Sequence, residues 1–146
     1  MNAEGITAPL TYTLTGTPAP EDIATLEHGL SAFFTAQGAS PKDMPLAIFV
    51  RDDQGALVAG LDAKTGWDQM YIRTLYVAQA LRGQGVGHRL LEQAEAEGRT
   101  RGCHTAWLMT STEEAKRFYE TYGYSSFGTV ERHAPNCARY FMKKAL

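Results

Sequence analysis

The sequence predicts a single α/β domain over residues 1–146, built on a mixed, mostly antiparallel sheet of about six to seven strands flanked by helices. Three observations carry that expectation. The length suits one domain with a real core and is too short for two ordinary ones. Short apolar and alternating runs recur with turn residues between them. Two segments in the second half switch to helical periodicity, and a glycine-rich loop opens the first of them.

The elements follow in order. Leu10 to Thr15 (LTYTLT) alternates and reads as a short strand. After the turn at Gly16 to Pro20, EDIATLEHGLSAFFTAQG spaces Ile23, Leu26, Leu30, Phe33 and Phe34 as a helix that stops at Gly38. LAIFVR (Leu46 to Arg51), a DDQG turn and ALVAGLDAKT (Ala56 to Thr65) read as a hairpin. Gly66-Trp67-Asp68 then turns into MYIRTLYV (Met70 to Val77), the fourth strand in this reading. The next helix places Val86, Leu90, Leu91 and Ala94 on one face, with His88, Arg89, Glu92 and Glu95 largely elsewhere. HTAWLMT (His104 to Thr110) shows little alternation and reads as a fifth strand buried on both faces. STEEAKRFYETYG brings Ala115, Phe118, Tyr119 and Tyr122 to one helical face. Ser111 and Glu114 have capping-box spacing, and Gly123 suits the position past the helix end. YSSFGTV and CARYFMKKA complete the strands.

Composition narrows the function classes. A net charge of −2 offers no field for nucleic acid or an anionic membrane, so an anion site must be built locally. No apolar run reaches the roughly 18 residues of a membrane span. Cys103 and Cys137 form no metal-ligand pattern, no secretory signal precedes them, and a cytoplasmic protein with free thiols and no metal is the expectation.

The stretch Arg82-Gly83-Gln84-Gly85-Val86-Gly87 asks for a reason. It is not a P-loop, because no GxxxxGK[ST] string exists. It is not the dinucleotide fingerprint either: counted from Gly83, the third glycine position is His88. Alternating glycines at a helix mouth let backbone N–H groups approach an anion at the positive end of the helix dipole. Arg82 and His88 could add donors. The loop thus reads as a pyrophosphate cradle, against the plainer alternative of a glycine-rich turn.

LYVAQALRGQGVGHRLLEQAEAEG followed by AWLMTSTEEAKRFYETYGY resembles the acetyl-CoA-binding half of the GNAT N-acetyltransferase superfamily. The loop matches that family's (Q/R)xxGx(G/A) pattern after its fourth strand. Ala115, Tyr119, Gly123 and Tyr124 match the NxxAxxxY helix with its glycine-aromatic stop. The order of elements extends the resemblance over nearly the whole chain.

The resemblance implies a sheet splayed between strands four and five, with acetyl-CoA as co-substrate. Its pyrophosphate would lie on the amides of Gly83, Gln84, Gly85, Val86, Gly87 and His88. Its pantetheine arm would run along the backbone of Leu75, Tyr76 and Val77, with Thr112 and Ala115 beside it. Tyr119, a plain core aromatic by periodicity alone, becomes the implied acid for the departing thiolate; a phenol stays protonated at neutral pH. Cys103 and His104 are adjacent strand residues on opposite faces and make no nucleophilic pair.

The sequence also departs from the pattern. Thr112 stands where asparagine is frequent. The segment Met70 to Val77 carries no carboxylate, which leaves Asp62, Asp68, His133 or water to take the amine proton. By the same resemblance, Phe34, Trp67, Asp68 and His133 would fall in regions that line the acceptor side of the fold. The expected activity is transfer of an acetyl group by direct attack of a primary amine, expected to be a small molecule. A non-catalytic acyl-CoA-binding module and a protein or peptide N-acetyltransferase are the alternatives. A homodimer is an expectation by analogy of fold alone.

Overall fold

The structure, a computed structural model, describes residues 8–38, 42–131 and 138–146. It divides into two compact units, Met1–Ser40 and Pro41–Leu146.

The first unit holds helix α1, Pro20–Ala36. Proline at its first position loses no hydrogen bond, and Glu21 and Asp22 place negative charge against the positive end of the helix. The expected strand at Leu10 to Thr15 is not formed. Alternation permits a strand, but a strand exists only where its N–H and C=O groups find a neighbouring chain.

The second unit is a six-stranded mixed sheet: β1 (Met44–Arg51), β2 (Leu57–Gly66), β3 (Gln69–Val77), β4 (Thr105–Thr110), β5 (Ser125–Glu131) and β6 (Ala138–Ala145). The spatial order is β1-β2-β3-β4-β6-β5, and only β3 and β4 run parallel. Helix α2 (Val86–Thr100) makes the crossover between them, as parallel neighbours require. Helix α3 (Glu113–Thr121) follows β4.

The turn from β2 to β3 is two residues long, with both Trp67 and Asp68 at positive φ, the pattern that matches the twist of a tight hairpin. One face of the sheet is the core: Leu46, Leu61, Ala63, Met70, Ile72, Ala106, Leu108 and Met142 are buried with Leu90, Leu91 and Ala94 of α2. Strand β4 alternates after all. Ala106 and Leu108 are buried, while Trp107 is half-buried and Met109 exposed, because only one face is covered tightly.

The ladder between β2 and β3 slips between Asp62 and Ala63, leaving Arg73 as the extra residue of a β-bulge. Inward positions change from Met70 and Ile72 before it to Leu75 and Val77 after it. A bulge bends its strand, and the pairing of β3 with β4 ends at this point, with Ile72 opposite Leu108. Beyond it the two strands separate, which is the splay the resemblance implied.

A buried charge corrects the helical reading of α2. Glu95 is only 4% exposed. Its carboxylate accepts hydrogen bonds from Lys144 Nζ at 2.8 Å and the Tyr124 hydroxyl at 3.2 Å, and Arg99 stands 3.8 Å away. Periodicity cannot see partners that arrive from β6 and from the end of α3.

Candidate functional site

Where β3 leaves β4, a cleft of about 560 Å³ opens. One wall is the end of β3, at Leu75, Tyr76 and Val77, and another is the loop from Leu81 to His88. Thr110 and Thr112 close it together with the α3 face of Ala115, Phe118, Tyr119 and Tyr122. Past Ile72 the β4-facing edge of β3 has no strand partner among the described residues, so its backbone groups face the cleft.

The loop is built for close approach to backbone. Gly85 caps α2 in the left-handed region at φ 82° and contributes no side-chain hydrogen bond. The N–H groups at the start of a helix have no partner inside it, and here they belong to Gly85, Val86, Gly87 and His88. The first turn of α3 carries Glu113 and Glu114, whereas α2 has no acidic side chain in its first turn to occupy its positive end. Gly87 has a different reason to be glycine. A Cβ there would stand 3.1 Å from Phe118 Cζ, so its absence lets α3 close over the helix start.

Side chains of the loop divide their work. The Arg82 Nε donates to the Val77 carbonyl at 3.0 Å, tying the loop to the end of β3. Only its remaining N–H groups are left for an anion. The Gln84 side chain turns away from the cleft and donates to Ala80 O at 3.0 Å, so this residue offers backbone alone. His88 stacks on Tyr122 with centroids 4.1 Å apart, and its Nε2 lies 3.3 Å from Glu92.

On the opposite wall Thr112, not Ser111, is the N-cap of α3; its hydroxyl accepts the Ala115 N–H at 3.1 Å. A hydroxyl used as a cap is already committed on that lone pair. Gly123, at φ 92°, ends the helix, with Tyr124 N donating to Tyr119 O at 3.1 Å. Tyr119 lines the cleft yet is 8% exposed, and burial pushes its phenol up to about 12. It therefore keeps its proton throughout the neutral range.

That burial also stabilises the fold in a pH-dependent way. Tyr119 ionises near pH 10 in the unfolded chain and only near 12 in the folded one. Its contribution is intact below pH 10 and is lost as pH rises through 12, on the order of 3 kcal/mol. Tyr124 is raised further, by burial and then by the Glu95 carboxylate. Thermal denaturation should show a melting temperature that falls more steeply above about pH 10 than below it. Tyr119→Phe should flatten that fall.

Trp67, Asp68 and Asp62, also singled out in the sequence, are not brought to the cleft. Trp67 and Asp68 precede β3 at the end opposite Val77, and the strand itself spans about 26 Å at 3.3 Å per residue. The Asp68 carbonyl accepts the His104 N–H there. Asp62 is held by Arg73 in an ion pair of 3.0 Å. Phe34 belongs to the first unit, and His133 and Cys137 lie outside the described residues. Conversely, Thr110, Glu114, Phe118 and Tyr122 line the cleft without having been chosen for it. The apolar helical stripe already marked Phe118 and Tyr122; nothing local marks Thr110.

A family model described as the acetyltransferase (GNAT) family matches residues 15–124. The chain belongs to this GNAT acetyltransferase family. An acetyltransferase of Agrobacterium fabrum is 36% identical over 101 residues, spanning 69% of this chain and 74% of that one. A blasticidin-S acetyltransferase of Streptomyces morookaense is 29% identical over 101 residues, 68% and 74% of the two chains. Among solved structures, an Agrobacterium tumefaciens protein provisionally called an acetyltransferase superposes with a TM-score of 0.87 at 28% identity. That match covers 94% of this chain and all of the other. The GNAT chain has no helix, among the described residues, long and apolar enough to cross a membrane.

Proposed function

We propose that this GNAT chain binds acetyl-CoA in the cleft between β3 and β4 and transfers the acetyl group to the primary amine of a small molecule. The observation that carries the reading is the meeting of two features in one cleft: helix-start amides on α2, which have no partner inside the helix, and a protonated, buried phenol on α3. The site fits the group. A diphosphate is matched by backbone N–H donors at a helix start, and an extended amide arm by the free edge of β3. The blasticidin-S acetyltransferase among the relatives supports a small-molecule acceptor.

When bound, acetyl-CoA supplies an activated thioester carbonyl that a neutral amine can attack without a covalent enzyme intermediate. The amides of Gly85 to His88 and the free N–H groups of Arg82 hold the diphosphate. Leu75 to Val77 orient the arm through backbone, so their side chains matter little. The Tyr119 Oη would offer its proton to the leaving sulfur; a phenol near 12 donates a hydrogen bond to a thiolate before it gives up its proton. For the amine proton we assign water, with Glu114 as the carboxylate the cleft lining offers to relay it. β3 offers no carboxylate, Asp62 is engaged by Arg73, and Asp68 is remote from the cleft.

Thiol release from acetyl-CoA tests the reading against a panel of blasticidin S, aminoglycosides, polyamines, free amino acids and arylethylamines, with a lysine-bearing peptide alongside. Acetylation of at least one small amine well above the peptide is expected. Turnover of the peptide alone would favour a macromolecular acceptor. Binding of acetyl-CoA with no turnover of any amine would favour a non-catalytic module.

A further inference from the structure

The buried Glu95 has no part in the chemistry just described, yet it lies at the end of a chain of contacts that leads to the reactive phenol. We propose that Glu95, acting through Tyr124, is a positioning residue for the Tyr119 hydroxyl. The inference rests on the reading of Tyr119 as the acid.

The Tyr119 ring is held on two sides. Phe118 meets it edge-on with centroids 5.2 Å apart, and Tyr124 does the same at 5.6 Å. Phe118 is fixed in turn by the close approach that Gly87 permits. Tyr124 is fixed at its far end, where its hydroxyl donates to Glu95 Oε1 at 3.2 Å. Glu95 Oε2 accepts from Lys144 Nζ at 2.8 Å, and the same ammonium lies 5.7 Å from the centre of the Tyr124 ring. The hydroxyl of Tyr124 thus anchors one wall of the Tyr119 slot to α2, the helix whose other end forms the anion cradle. One rigid helix thereby sets the position of both the diphosphate amides and the acid.

A phenylalanine at 124 would fill the same space and keep the edge-on packing; the hydroxyl adds the anchor to Glu95. A carboxylate at 5% side-chain exposure is held in place by these partners, since an unpaired one would not be tolerated there. Small displacements of a catalytic group carry large kinetic effects: about 1 Å can lower a rate by 10²-fold.

The test is a double-mutant cycle on the whole chain, using acetyl-CoA and the fastest amine of the panel. Tyr124→Phe should lower kcat by about 5- to 20-fold, with KM for acetyl-CoA unchanged. In a Tyr119→Phe background, Tyr124→Phe should lower it no further, because the group it positions is gone. Glu95→Gln, which keeps an acceptor for the hydroxyl, should retain more of kcat than Glu95→Ala at matched melting temperature. An unchanged kcat in Tyr124→Phe, or an equal fold loss in both backgrounds, would overturn the inference while leaving Tyr119 as the acid. If Tyr119→Phe itself turned over at the native rate, the acid reading would fall and this inference with it.

Discussion

Replacing Tyr119 by phenylalanine should lower kcat by about 10²-fold while leaving the dissociation constant for acetyl-CoA within about twofold. The substitution removes one oxygen from a ring held between Phe118 and Tyr124. The packing survives, so binding of the donor, which depends on backbone and on the loop, should survive too. The lower end of the usual range for an acid is expected, because a phenol raised to about 12 stabilises a leaving thiolate chiefly by hydrogen bonding. For the same reason, kcat should show no loss between pH 8 and 10 from ionisation of this group. A rate loss whose midpoint lies below pH 10 would assign the acid role to a different residue.

The second large effect belongs to Gly85, and it needs a matched pair of variants. The residue sits at φ 82°, where any side chain is strained, but a Cβ built there meets nothing within 4 Å. Asparagine and aspartate are the non-glycine residues that tolerate this region best, and they differ by one charge. Gly85→Asn should weaken acetyl-CoA binding modestly through strain. Gly85→Asp should weaken it about 10²-fold more, since its carboxylate takes the positive end of α2 and repels a diphosphate. Titration calorimetry at low and high salt would measure the gap, which should narrow as salt screens it. Equal affinities for the two variants would mean that the phosphates do not lie on this loop.

The parts of the fold legible in the sequence were those coded locally. The glycine loop, the apolar stripe of α3 and the stop at Gly123 each depend on neighbours within a few residues, and each is present. The splay was legible only through the resemblance, although the strand carries its own signal. Inward residues at 70, 72, 75 and 77 are spaced two, three, two, which is the footprint of a bulge.

What stayed hidden depends on distant partners. Glu95 looks like a surface residue until Lys144 and Tyr124 are brought to it. Asp62 looks like a free base until the bulge turns Arg73 toward it. Trp67 and Asp68 looked like acceptor contacts because they directly precede the strand that forms the cleft. That strand is nine residues long, and the cleft is at its other end. Leu10 to Thr15 has the alternation of a strand and forms none. Thr112 displaced Ser111 as the cap, a shift of one residue that no local pattern decides.

The central claim is that the α2 amides receive the diphosphate of acetyl-CoA, and backbone amide resonances report on it directly. Titrating acetyl-CoA into ¹⁵N-labelled protein should move the amides of Gly83 to His88 most, with Leu75 to Val77 and Ala115 next. The amides of Leu46 to Ile48, which line a second cavity with Arg101, should stay in place. Saturable shifts centred on that second cavity, with the loop amides unmoved, would contradict the account.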